Sequence, residues 1–240
     1  MIKLAISGCQ GRMGQRITEL ALYDKIFKIS ALLENKNRPD VLLLSQNIPV
    51  NFEDTALKGS DVLIEFTTPE ATIAHLKSCQ KYGVNMVIGT TGFTRAQITQ
   101  IKKASSKIAI VFSSNMSVGV NLVFGLIRQA AQITGRDYAI TLSETHHVHK
   151  KDAPSGTAKT MAELAEQYAK TMVKDIESIR EGEVIGDHTI TFESPVDLIS
   201  IHHHAKTRDI FAQGSLVAAK FLSKKKKGLF DMQDVLGLKK

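Results

Sequence analysis

At 240 residues, 43% hydrophobic and 23% charged, the chain has enough apolar content to bury the core of one large domain or two small ones. No apolar run reaches the roughly 18 residues of a membrane span, and Cys9 and Cys79 stand too far apart in sequence to suggest a disulfide framework or a metal-ligand motif. The formal charge of +7 suits a small anionic ligand. The run Lys224 to Lys227 contains no aromatic residue for base stacking and reads as solvated surface, so neither nucleic acid nor membrane is expected as a partner.

Met1 to Gly8 enters a strand pattern directly, without the layout of a signal peptide, and a cytoplasmic location is expected. Ile2 to Ser7 is predicted as the first strand. The glycine-rich Gly8 to Gly14 follows, and then a helix with Met13, Ile17, Leu20 and Ala21 on its buried face. Phe27 to Leu33 is a second strand ending at Glu34. Asn35 to Asp40 reads as loop, and Val41 to Asp54 is ambiguous. Asp61 to Phe66 is a nearly all-apolar strand, as expected for one covered on both faces. Thr68 and Pro69 open a helix that Gly83 stops. Val84 to Ile88, a helix from Thr94 to Ser105, and Lys107 to Phe112 complete five strands with intervening helices. This alternation predicts a nucleotide-binding α/β domain with a parallel sheet.

Beyond Asn115 the pattern changes. Helices are predicted over Val118–Ile133, Ser155–Val173 and Phe211–Leu222. Strands are predicted over Tyr138–Glu144, Ile176–Val184, His188–Phe192 and Leu198–His204, which suggests a second, α+β domain.

Gly8-Cys9-Gln10-Gly11-Arg12-Met13-Gly14 is a variant of the dinucleotide fingerprint, lying between a strand and an amphipathic helix. Its glycines permit a tight turn and close approach of a pyrophosphate to a helix N-terminus. Glu34, 20 residues past Gly14, stands where a ribose hydroxyl would be bound. A carboxylate there repels a 2′-phosphate and favours NAD; Arg12, Lys36 and Arg38 supply cations that leave dual use open. Gly89-Thr90-Thr91-Gly92 follows a strand's carboxyl end, where it reads equally as a ligand contact and as a plain turn.

Glu144 to Thr157 gathers His146, His147, His149, Lys150 and Lys151 beside a helix start. If the strand stays extended to Val148, His147 and His149 share one face and His146 the other. A zinc site from the pair lacks an obvious third ligand, and no metal is expected. Ser155 caps the next helix, and the N–H groups of Gly156 and Thr157, with the Thr157 hydroxyl, suit a carboxylate. His146 or Lys150 could act as general acid. The residues alone describe a reductase with a dinucleotide in one domain and an anionic substrate in the other.

These motifs, with Glu65-Phe66-Thr67-Thr68-Pro69-Glu70, Val87 to Phe93, Ser114 to Asn121 and Gly228 to Met232, run in order through nearly the whole chain, and together they resemble the dihydrodipicolinate reductase (4-hydroxy-tetrahydrodipicolinate reductase) family. The resemblance implies NAD(P)H-dependent reduction of a cyclic unsaturated dicarboxylate to tetrahydrodipicolinate, in lysine and diaminopimelate biosynthesis. It implies a Rossmann-like domain (1–116 with 209–240) and a smaller α+β domain with a mixed sheet (117–208) for substrate binding and tetramerisation. His146 resembles the proton donor and Lys150 the lysine acting with it. His147, Lys150, Ser155, Gly156 and Thr157 resemble substrate contacts. Gly8, Gly11, Arg12, Met13, Gly14, Glu34, Gly89, Thr90, Thr91, Ser114, Asn115, Met116 and Arg208 stand as cofactor contacts. Two departures stand out: Asn35 follows Glu34 where the family often has arginine, and a loop-and-strand segment of longer members is absent between Val173 and Ser178. The alternative from the residues is another Rossmann oxidoreductase on a small carboxylate, such as an aspartate dehydrogenase-like enzyme.

Overall fold

The computed structural model describes residues 1–36 and 48–239. Most of the expected loop Asn35–Asp40, with Arg38, and the first part of the ambiguous stretch from Val41 lie outside the described residues. The chain divides into two compact units, Met1–Ser117 with Phe211–Lys240, and Val118–Ile210.

The first unit is built on a seven-stranded parallel sheet. Its strands are β1 (Ile2–Ser7), β2 (Phe27–Leu33), β3 (Val50–Asn51), β4 (Val62–Glu65), β5 (Asn85–Ile88), β6 (Ala109–Phe112) and β11 (Gly228–Phe230), in the order β11-β6-β5-β4-β1-β2-β3. Helices α1 (Arg12–Tyr23), α2 (Pro69–Tyr82), α3 (Arg95–Ala104) and α6 (Asp209–Leu222) belong to the same chain segments, apart from the first residues of α6. The strand order reverses between β1 and β4, and that switch point opens a crevice at the carboxyl ends of the strands. Three signals read from the sequence set the local geometry. Thr68 accepts the N–H of Ala71 at the head of α2, and Gly83 ends that helix at φ 71°. Thr94 and Gln97 form a capping box on α3. On α1, Ile17 and Ala21 are fully buried, whereas Met13 and Leu20 are half-buried. The sheet exceeds the five expected strands by β3 and β11, two- and three-residue edge strands too short to show a period.

The second unit carries a mixed sheet, β10 (Leu198–His204), β9 (Asp187–Glu193), β7 (Ala139–His146) and β8 (Asp175–Arg180) in that order, with only the β7–β8 pair parallel. Helices α4 (Val118–Thr134) and α5 (Gly156–Ala169) pack on one sheet face. Phe124, Ile127, Met161 and Ala165 meet Ile140, Leu142, Ile190 and Phe192 there. The alternate residues Thr141, Ser143, Thr189 and Thr191 point the other way.

Three expectations are corrected here. The strand expected over Tyr138–Glu144 runs on to His146 but not to Val148, because His147 N–H donates to Val184 O (2.6 Å) and Lys150 N–H to His147 O (3.1 Å), which folds 147–150 into a turn. The strand expected to reach Val184 ends at Arg180, since residues 181–184 form a turn whose Val184 and Gly182 carbonyls accept the N–H groups of His147 and Val148. The helix expected to reach Val173 stops at Ala169, where Lys170 adopts φ 58°.

Candidate active site

In the first unit, the glycine loop joins β1 to α1. Gly8 has φ +64°, and a Cβ there would lie 2.8 Å from the Thr67 methyl. A Cβ on Gly14 would lie 2.0 Å from the Gly8 carbonyl oxygen, so α1 could not approach β1 as it does. Gly11 is the N-cap of α1 and no side chain caps that helix, which leaves its N-terminus suited to phosphate. Arg12 is exposed and Met13 half-buried in the first turn. Both oxygens of Glu34 accept backbone N–H groups, Oε2 from Gln10 and Oε1 from Asn35, each at 3.0 Å. Those bonds hold the carboxylate on the wall of a cleft of about 490 Å³, whose lining includes Gly8, Lys36, Phe52, Glu53, Thr68 and His75.

Beneath this cleft lies a polar cluster. Glu65 is fully buried at the end of β4. It pairs with His75 Nδ1 (2.6 Å) and accepts the Thr67 hydroxyl, while Asp54 stands 3.6 Å from His75 Nε2. Burial works against a charged His75, but the hydrogen bond and charge of Glu65, with Asp54, outweigh it and raise the imidazole above its ordinary value.

The remaining expected cofactor contacts divide. A Cβ on Gly89 would strike the Phe66 ring at 2.2 Å, so the β5 turn needs glycine for packing. Thr90 is buried, its hydroxyl taken by Thr67 N–H (3.0 Å) and the Thr72 hydroxyl (3.1 Å), whereas Thr91 is exposed. Ser114 is exposed. The Asn115 side chain accepts Ser117 N–H (2.9 Å), and Met116 is buried with its carbonyl against Gly214 of α6. Arg208 is exposed immediately before α6 and belongs to the second unit.

In the second unit, period-2 alternation on β7 puts Glu144 and His146 on the same face as Ile140 and Leu142, the face that α5 covers. Glu144 is 1% exposed and His146 7%. Glu144 Oε1 accepts Ser155 N–H (3.0 Å) and pairs with Arg180 Nη2 (3.0 Å); Oε2 lies 3.0 Å from His146 Nδ1 and 3.8 Å from His188 Nε2. Burial alone would raise the Glu144 carboxyl, but the bonds from Ser155 and Arg180 hold it down at about 2. Burial lowers His146 and takes His188 to about 4, and the two rings meet edge to face at 5.0 Å. Arg180 also donates to the carbonyls of Lys150 (3.3 Å) and Asp152 (2.5 Å), tying the loop before α5 to β8.

Ser155 caps α5, its hydroxyl accepting Ala158 N–H (3.1 Å) and lying 3.3 Å from His188 Nε2. Gly156 is exposed, with open space where a Cβ would stand. Lys150 is half-buried, 2.8 Å from Asp152 Oδ1. His147 is half-buried, and His149 is exposed beside Glu183 (3.4 Å). The residues that the fold adds to the expected site are Glu144, Arg180, His188, Glu65 and His75. Glu144, Glu65 and His75 carried a sequence signal, since a carboxylate or imidazole interrupts an apolar periodic face. Arg180 carried none.

Glu144, His146 and His188 also bring one donor atom each within 4.8 Å of the others, and among the described residues no other such group of three occurs. The Arg180 guanidinium on that carboxylate opposes a bound cation.

Two family models cover nearly the whole chain: the N-terminal part of dihydrodipicolinate reductase over residues 2–116, and the C-terminal part over 119–236. The chain belongs to the dihydrodipicolinate reductase family. It is 41% identical to 4-hydroxy-tetrahydrodipicolinate reductase of Nitrosomonas eutropha, with 100% of this chain and 99% of that protein covered. It is 39% identical to the enzyme of the same name from Polynucleobacter necessarius, covering 100% of both. Its fold matches the dipicolinate-bound dihydrodipicolinate reductase from Paenisporosarcina sp. TG-14 at a TM-score of 0.83, with 26% identity and 98% of each chain covered. As a member of this reductase family the chain is an oxidoreductase that uses a nicotinamide cofactor, and the glycine loop with Glu34 fits that group. Among the described residues, no helix is long and apolar enough to cross a membrane. Within the lysine run, Lys225 lies over Phe221 (4.7 Å) and Phe230 (5.6 Å) of its own unit.

Proposed function

We propose that the chain reduces 4-hydroxy-tetrahydrodipicolinate, by way of dihydrodipicolinate, to tetrahydrodipicolinate in lysine and diaminopimelate biosynthesis. One observation carries this reading: a proton-handling imidazole and the Ser155-capped start of α5 meet on a single buried carboxylate, Glu144. The start of α5, with Gly156, Thr157 and the ammonium of Lys150, binds the substrate carboxylates, and His147 at the rim of the loop adds a further donor. The reduced nicotinamide supplies the hydride when bound. His146 delivers the matching proton, so that hydride and proton together saturate one double bond. Lys150 releases Asp152 as it engages the substrate and holds positive charge where the ring carries negative charge.

Gly8, Gly11 and Gly14 admit the pyrophosphate; Arg12 and Met13 stand in the first turn that faces it, with Gly89, Thr91, Ser114, Met116 and Arg208 as further contacts. Thr90 and Asn115 act by shaping these turns. For the ribose, two carboxylates (Glu34 and Glu53) and one ammonium (Lys36) border the cleft among the described residues, a balance that favours NADH and tolerates NADPH. The uncovered sheet face of the second unit, with exposed Leu198 and Ile179 at its margins, serves in a homotetramer, and the protein works in the cytoplasm.

The test is a double variant, His146→Gln with Lys150→Ala. It should bind NADH as the wild type does, by cofactor fluorescence, and lose turnover by at least about a hundredfold. Turnover near the wild-type rate would end the assignment.

A further inference from the structure

We infer that Glu144 is a positioning residue for the reduction, acting through His146 by fixing which ring nitrogen carries the resting proton. The inference rests on the proton-donor reading of His146 given above.

The geometry is specific. Glu144 and His146 are two residues apart on β7 and share its buried face, so the strand itself brings their side chains together. Glu144 Oε1 is committed to Ser155 N–H and Arg180. Glu144 Oε2 and His146 Nδ1, 3.0 Å apart, are both buried and neither is hydrogen-bonded in the present alignment, which is off the line of a hydrogen bond; the buried Ser178 hydroxyl is a further neighbour of the Glu144 carboxyl. Two such atoms in a dry site are costly unless a small rotation of the ring joins them. An N–H at Nδ1 aimed at an anion makes Nε2 the nitrogen that exchanges a proton with the substrate. Gly186 borders Nε2: a Cβ there would lie 3.2 Å from it, in the space that a reacting group must approach.

Charge completes the case. The groups facing His146 are Glu144 on its own strand, His188 on β9, Arg180 on β8, and Lys150 and Asp152 in the loop before α5. Burial, Lys150 and Arg180 all disfavour an imidazolium, while Glu144 is the stronger of the two carboxylates that favour it. His188, neutral near neutral pH, packs edge-on against the ring and limits its rotation. The same carboxylate holds Ser155, so the proton donor and the substrate cradle are fixed to one point.

Glu144→Gln tests this with little change of shape. The amide oxygen can still accept Ser155 N–H, but the amide nitrogen facing Nδ1 is a donor and selects the opposite tautomer. The expected result is a kcat about 10- to 100-fold lower with KM changed less than about threefold. The alkaline limb of the pH–kcat profile should move to lower pH, because the imidazolium loses its counter-charge. In a His146→Gln background the same change should cost almost nothing further, whereas a merely structural role would add its full effect. Wild-type kcat with an unmoved limb, or full additivity with His146→Gln, overturns the inference. If Glu144→Gln does not fold, nitrogen-15 NMR of the wild type decides: a dominant Nδ1–H tautomer at His146 supports the inference, and a dominant Nε2–H tautomer overturns it. A His146→Gln variant that turns over normally instead defeats the proton-donor reading, while an inactive His146→Gln beside an unaffected Glu144→Gln defeats only the inference about Glu144.

Discussion

Acid should loosen the second unit first through His188. This side chain is 4% exposed, and burial holds its imidazole at about 4 against an ordinary 6.5. Because the folded value is depressed, the unfolded chain takes up the proton first, so stability falls as pH drops from 6.5 towards 4. Between pH 7 and pH 5 the loss from this one group comes to about 2 kcal/mol, or roughly 4–8 °C in midpoint for a chain of this size. His75 in the first unit works in the opposite sense. Its raised imidazole contributes stability that is fully present below 6.5 and is lost as pH rises through the folded value. Glu144, held at about 2, adds its own loss only as pH falls below the ordinary carboxyl value of 4.5. The assay is therefore a comparison of wild type with His188→Gln, by urea unfolding at pH 5, 6 and 7. The substitution costs some stability at every pH through the lost contact with Ser155, but its difference from wild type should shrink by about 2 kcal/mol from pH 7 to pH 5. A difference that stays constant over that range would refute a neutral, desolvated His188.

Three further outcomes follow from single contacts. Glu34→Gln should raise the ratio of kcat/KM for NADPH over NADH roughly tenfold, about 1.4 kcal/mol, since it removes the negative charge that the proposed reading sets beside the ribose; an unchanged ratio refutes that placement. Gly214→Ala should destabilise the first unit by about 3 kcal/mol or more, because its Cβ would lie 1.7 Å from the Met116 carbonyl oxygen, and a wild-type melting curve would contradict that packing. Arg180→Met should cost about 3–5 kcal/mol by leaving Glu144 charged and buried without its partner, and restoring most of that by acidifying below pH 4 would identify the carboxylate as the cause.

Local signals were the legible ones. Thr68, Pro69 and Gly83 bounded α2, and Thr94 opened α3, because caps act over four residues and need no tertiary partner. The glycine loop and Glu34 were legible for the same reason: a strand, a turn and a helix fix their relation within one βαβ unit. The edge strand β11 pairs with β6 from more than a hundred residues away, which no periodicity reveals. In the second unit, Ile140, Leu142, Glu144 and His146 share one face, so a carboxylate on an apolar stripe was open to view. Its partners were not. Arg180 and His188 come from two other strands whose register with β7 depends on the whole sheet. The turn at 147–150 was missed because its hydrogen bonds run to residues 182 and 184, while the local sequence alone allows an extended strand.

The central claim is that this chain delivers hydride and proton to a cyclic unsaturated dicarboxylate. The most direct measurement mixes the purified protein with freshly prepared 4-hydroxy-tetrahydrodipicolinate and either NADH or NADPH, and follows the absorbance of the reduced nicotinamide. Substrate-dependent oxidation of both cofactors, faster with NADH, is the result expected from His146, Lys150 and the carboxylates around Glu34. A folded protein that binds the cofactor yet never oxidises it in the presence of substrate would contradict the claim.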